Sequence, residues 1–206
     1  MRYNHYIFDV DGTLLDTERT GVLSLIQTAK ELLDRELSYE EAYYFFGIPS
    51  SESTKILKAP DEERFALVWE THFQELMYLV APFPGVEEMI REIKAAGCGT
   101  GIVTSRSRFE FSYDPTLAGW KDMFENIICA EDAPRPKPFP DPVLEYMKRT
   151  GAKPDECLYL GDTMHDYNCA HDAGCNFALA DWRDRGFQNI PTNLRYTNAD
   201  EPRMII

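Results

Sequence analysis

Two aspartates one residue apart close an apolar run in HYIFDVDGT, residues 5–13: Asp9 and Asp11. A strand that ends in carboxylates carries charge into poorly hydrated surroundings, which is costly unless something compensates it. A hairpin turn at Asp11-Gly12 is one reading of this step, but it requires a second strand after Thr13, and the residues from Leu14 onward have helical spacing. A second acidic step, GDTMHD, places Asp162 and Asp166 after another apolar run, ECLYL. Asp and Thr at these positions also suit the start of a helix. Brought to one sheet edge, four carboxylates repel one another strongly. A hard divalent cation is the natural compensation, and Mg²⁺ takes a few carboxylates together with water and phosphate oxygens.

Hydroxyls and a cation stand at comparable places. Thr104, closing GIVTS, offers a hydroxyl, as does Ser105. Lys137 sits among prolines in PRPKPFPDP, where a restricted backbone makes it a better positioned point charge than a lysine on an ordinary loop. A metal-binding carboxylate cluster with one hydroxyl and one lysine is what phosphoryl transfer needs. The cations neutralise the phosphoryl oxygens, and a carboxylate can serve as nucleophile.

These groups need elements to position them. Residues 3–8, 99–105, 126–132, 156–163 and 176–180 read as strands. Helical spacing covers 85–96, 106–118, 143–150 and 165–174. Strands alternating with helices predict an α/β fold: a Rossmann-like parallel sheet with helices on both faces. In such sheets ligands bind outside the carboxyl ends of the strands, which is where Asp, Thr and Ser recur here. Between the first strand and the rest, residues 15–80 read as nearly all helix. Leu14–Asp34 and Asp61–Val80 form long helices, a shorter acidic helix follows Ser38, and FGIPSSES (46–53) is a break. The expected organisation is a catalytic core of residues 1–14 and 81–206 with an inserted all-helical cap, 15–80. The polar tail from Asp181 has little periodicity, and Trp182 and Phe187 are candidates to dock it.

The chain of 206 residues is 44% hydrophobic and 13% aromatic, which indicates a globular protein. With 35 Asp+Glu against 21 Lys+Arg, the formal charge of −14 argues against nucleic acid or an anionic membrane as partner. No leader-like N-terminus and no run of membrane-spanning length is visible, so a cytoplasmic location is expected. Five cysteines without a CxxC pair read as reduced thiols in a core.

DVDGT (9–13), the strand-end Thr104 in IVTS, KPFPD (137–141) and GDTMHD (161–166) occur in this order. In these motifs the chain resembles hydrolases of the haloacid dehalogenase superfamily, of the type with a helical cap after the first strand, such as phosphoglycolate phosphatase and β-phosphoglucomutase. The resemblance implies a Mg²⁺-dependent phosphatase acting on a small phosphorylated metabolite, as monomer or homodimer. It implies that Asp9 attacks phosphorus and that Asp11 protonates the leaving oxygen and then activates water, neighbouring anions favouring its protonated form. Thr104, Ser105 and Lys137 would hold phosphoryl oxygens. Asp9, Asp162 and the backbone carbonyl of Asp11 would ligate the metal, with Asp166, Gly12 and Thr13 supporting them. Dehalogenating members lack the second aspartate, so Asp11 favours phosphate chemistry. Gly12-Thr13 resembles the phosphatase pattern more than that of phosphosugar mutases, the alternative enzymatic reading. A non-catalytic protein that binds a phosphorylated metabolite is a third. TSRSRF departs from the Thr-Asn-Lys of phosphoglycolate phosphatase-like members. Arg106 is therefore either a substrate-facing residue or a solvated helix-start arginine, and Gly47 marks a turn that could face the site.

Overall fold

The computed structural model describes residues 3–48, 50–184 and 189–203. It divides into two compact units, Met1–Leu15 with Pro82–Ile206, and Asp16–Ala81.

In chain order the strands are β1 His5–Phe8, β2 Leu15–Asp16, β3 Ala81–Pro82, β4 Gly99–Val103, β5 Asn126–Ile128, β6 Cys157–Gly161, β7 Asn176–Ala180 and β8 Arg195–Tyr196. The helices are α1 Glu18–Leu33, α2 Tyr39–Tyr43, α3 Ser50–Leu57, α4 Glu62–Glu75, α5 Val86–Ala95, α6 Arg108–Tyr113, α7 Pro115–Trp120, α8 Asp141–Thr150, α9 Met164–Asp172 and α10 Asp200–Arg203.

The larger unit is built on a six-stranded parallel sheet in the order β5-β4-β1-β6-β7-β8. Every residue of β4 and β6 is buried, and burial on both faces explains why neither strand carries a charged side chain. Ile7, Val103, Tyr159 and Leu179 pack with Val143 and Tyr146 of α8 and Cys169 of α9. By the two-residue period of a strand, Tyr6 and Phe8 face the other way, where Phe8 meets Phe124 edge to face. Gly101 exists for this packing: a Cβ there would lie 2.0 Å from the Tyr146 ring. All five cysteines are buried and free.

Central β1 runs between β4 and β6, with Phe8 opposite Ile102 and Leu160. The segments following these three strands therefore leave the sheet side by side. This register alone gathers residues near positions 9, 104 and 162.

The smaller unit packs Val22, Leu25 and Ala29 of α1 with Leu57 of α3 and Phe65 of α4. Trp69 donates from Nε1 to Ser24 Oγ at 2.9 Å. Ser38 and Glu41 form a reciprocal capping box at the start of α2.

Several boundaries differ from expectation. The first helix begins at Glu18, because the backbone N–H groups of Leu14 and Leu15 both turn back to the carbonyl of Val10, and Leu15–Asp16 is a short strand. The break at 46–53 is shorter, since α3 starts at Ser50. Segment 106–118 is two helices. Asp114 precedes Pro115, which disfavours helical backbone; it is extended (φ −73°, ψ 115°) and caps α7 instead. The strand in 126–132 stops at Ile128, and a single 3-10 turn follows at Ala130–Asp132. The tail contributes the sixth strand of the sheet. No described helix is long and apolar enough to cross a membrane.

Candidate active site

The loop after β1 is tightly wound. Asp9 N–H donates to the carbonyl of Leu160 at 2.9 Å, fixing the nucleophile candidate to β6. Gly12 has φ +84°, and a Cβ there would fall 2.1 Å from Asp162 Oδ2. Only glycine allows both the backbone conformation and that approach. Thr13 Oγ1 lies 3.4 Å from Asp162 Oδ1, and the Thr13 carbonyl accepts from Trp182 Nε1 at 2.7 Å. Trp182 thus packs where the tail reading placed it; Phe187 lies outside the described residues.

Asp9, Asp162 and Asp166 each bring a carboxylate oxygen within 4.8 Å of the others. Lys137 is 4% exposed and bridges two of them, with Nζ 2.7 Å from Asp9 Oδ1 and 2.7 Å from Asp166 Oδ1. Burial works against its charge, but the two aspartates outweigh it and hold the ammonium well above its ordinary range. Asp166 also accepts from Thr163 N and Oγ1 at 3.0 and 2.6 Å, closing a capping box on α9. The cap reading of GDTMHD therefore holds, and the same carboxylate also accepts from Lys137. Burial pushes the Asp166 carboxyl up, and Lys137 and Thr163 more than reverse it. At Asp9 burial dominates and pushes the carboxyl up to about 7, with Lys137 opposing. Asp162 is raised well above the carboxylate range by burial, then by Asp166 and Asp9.

Three carboxylates therefore stand beside a single lysine. Lys137 is engaged by Asp9 and Asp166, and among the described residues Asp162 forms no ion pair. This all-oxygen, charge-deficient donor set fits a hard divalent cation.

The fourth carboxylate does not join the cluster. Asp11 is paired with Arg106, whose Nε and Nη2 donate to its two oxygens at 2.9 and 2.8 Å. The expectation of neighbouring anions left out its strongest partner: Asp9 and Asp162 feel the charge of Asp11, but a guanidinium holds it directly. Arg106 is buried, which also corrects its reading as a solvated helix-start residue. Thr104 is buried, and its Oγ1 accepts from Arg106 N–H at 3.1 Å; Ser105 is exposed. Gly47 belongs to the smaller unit, with φ +83°, and Pro49 of that turn lies outside the described residues.

Two residues of the site escaped the sequence reading. Tyr159 OH donates to the Val103 carbonyl at 3.0 Å and lies 3.1 Å from Asp166 Oδ1, so it props the lysine bridge from below. Its position two residues before Gly161, on the same strand face, was the available signal. Asp114, the second partner of Arg106, was signalled by the Asp-Pro helix start.

A sequence model described as haloacid dehalogenase-like hydrolase matches residues 6–180. A pyrophosphatase PpaX of Bacillus velezensis is 29% identical over 190 residues, 92% of this chain and 88% of that protein. A structure from Lactobacillus plantarum, provisionally described as a phosphoglycolate phosphatase, superposes with a TM-score of 0.90 over all of both chains at 22% identity. CbbY from Rhodobacter sphaeroides, solved with phosphate, superposes with a TM-score of 0.83 at 21% identity, covering 97% of this chain and 96% of its own. These two structural likenesses speak for the fold.

Proposed function

The chain belongs to the haloacid dehalogenase-like hydrolase family, and from that premise we propose that it is a Mg²⁺-dependent phosphatase of small phosphomonoesters. The observation that carries the reading is Lys137 shared between Asp9 and Asp166 beside Asp162, which has no ion pair among the described residues. Asp9 attacks phosphorus and becomes an aspartyl phosphate. Asp11 protonates the leaving oxygen, then takes a proton from the water that hydrolyses the intermediate. Thr104, Ser105 and Lys137 hold phosphoryl oxygens, and Asp166 with Tyr159 keeps the lysine aimed. Asp9, Asp162 and the Asp11 carbonyl would hold Mg²⁺, which when bound supplies positive charge to the carboxylates and phosphoryl oxygens. Thr13 and Gly12 set the distance between the loop and Asp162. The helical unit serves as a cap that excludes bulk water and selects the leaving group, a role that rests on its insertion after the first strand. A cytoplasmic setting belongs to the same reading.

The relatives named as pyrophosphatases favour a second reading, hydrolysis of a pyrophosphate by the same groups. A panel of phosphomonoesters, hexose phosphates and pyrophosphate, assayed for phosphate release with Mg²⁺ and with chelator, tests both. The reading expects phosphate from monoesters, lost on chelation. Release from pyrophosphate alone selects the second reading. A hexose phosphate isomer formed without phosphate release would establish a mutase instead.

A further inference from the structure

Arg106 is a site cation to which the chemistry above gives no task. It is 6% exposed and tied at every level. Its backbone N–H donates to Thr104 Oγ1, and its carbonyl accepts from Ala130 N–H at 3.0 Å. Nη1 donates to Asp114 Oδ2 at 3.0 Å. Asp114 is fully buried, and its other oxygen accepts from Thr116 and Leu117 N–H at 2.9 and 3.2 Å, capping α7. One carboxylate is enough to neutralise a buried guanidinium, and Asp114 supplies it. The remaining edge, Nε with Nη2, is spent on Asp11, whose position 95 residues earlier lies on the loop after β1. A two-pronged arginine–carboxylate pair fixes the carboxylate in the plane of the guanidinium. The chain of support runs from α7 through Asp114 and Arg106 to the acid–base aspartate.

We propose that Arg106, braced by Asp114, is a positioning residue that orients the carboxyl of Asp11 for proton transfer; this rests on the phosphatase reading. While both oxygens of Asp11 accept from Arg106, neither can deliver a proton. One oxygen leaves the fork when the ester is in place, and Arg106 keeps the other. The freed oxygen takes up a proton, from solvent or from the monoanionic form of the ester, and passes it to the ester oxygen as the P–O bond breaks; the electron pair of that bond stays on the leaving oxygen. The aspartate then holds the negative charge, beside the guanidinium. An alkoxide needs this proton; a nitrophenolate, already a stable anion, does not.

Leaving-group dependence therefore isolates the role. Two variants serve: Arg106→Lys, which keeps a charge against Asp114 but not the fork, and Arg106→Gln with Asp114→Asn, which removes both charges while asparagine still caps α7. Phosphoenzyme formation is followed in single turnovers with an alkyl phosphate and with p-nitrophenyl phosphate. In both variants the rate on the alkyl ester should fall by about 10²-fold, the scale of a positioned general acid, and that on the aryl ester by less than about 3-fold. KM should stay within about 2-fold of wild type, and the losses from Arg106→Lys and Asp11→Asn on the alkyl ester should not add, because both remove one function. Equal losses on the two esters with raised KM would make Arg106 a phosphate ligand and overturn the proposal, as would unchanged rates. Wild type that turns over both esters in an Asp9-dependent way keeps the phosphatase reading even if the proposal fails. Wild type that turns over neither ester overturns the two together.

Discussion

At Asp9 burial and charge pull in opposite directions. Its carboxyl is driven up from 3.8 to about 7, chiefly by burial, with Lys137 opposing and Asp166 and Asp11 adding. Between those values the folded protein holds more proton at Asp9 than the unfolded chain does. Stability from this group therefore falls as pH rises through that window. In chelator, the thermal midpoint of wild type should fall relative to Asp9→Asn as pH is raised from about 4 to about 7, and Mg²⁺ should restore it at neutral pH. A difference between the two proteins that ignores both pH and Mg²⁺ would contradict the assignment. Much of this site was legible at the residue scale. Asp9 and Asp162 follow apolar runs, where a carboxylate demands a partner; Asp166 lies one helical turn on, and Lys137 stands on a proline-restricted loop. The partner of Asp11 was not legible, because a contact between residues 11 and 106 depends on side-chain reach across the ends of two strands. Tyr159 was hidden for a related reason: an aromatic in an apolar strand looks like core until its hydroxyl is seen between Val103 and Asp166.

The elements that carry the site announce themselves by composition: GIV, CLYL and FALA are apolar throughout because both faces of the sheet are covered. Signals made of one or two residues are weaker. Asp114-Pro115 divides what periodicity reads as one helix, and the division supplies the brace for Arg106. β8 is two residues, Arg195 and Tyr196, with no period to detect; only its partner defines it. Leu179 and Asp181 donate their N–H groups to the carbonyls of Leu194 and Tyr196, both at 2.8 Å, and Arg195 grips Asp181 at 2.9 and 2.7 Å. Ending the chain after residue 188 would leave β7 with an open edge and remove the buried Ile190 and Tyr196. Such a truncation should melt earlier and self-associate, as read by thermal unfolding and light scattering. A monomer melting at the wild-type temperature would show that the tail adds nothing to the sheet.

Across the whole molecule, the chain solves an electrostatic problem that its composition poses. A protein with a formal charge of −14 repels an anionic substrate at long range, so the site must correct the field locally. It does so by placing β1 between β4 and β6, so that loops roughly 95 and 150 positions downstream of Asp9 meet it at one edge of the sheet. The alternation of strands and helices made this topology legible, because parallel strands require crossovers and crossovers fix which ends converge. The same convergence defines the central claim, that Asp9 is the group that bonds to phosphorus. Acid quench during turnover of an aryl phosphate, followed by peptide mass mapping, tests it directly. The account predicts a phosphoryl group on the peptide that carries Asp9, enriched in Asp11→Asn and absent from Asp9→Asn. A phosphoryl group on another residue, or full turnover by Asp9→Asn, would contradict it.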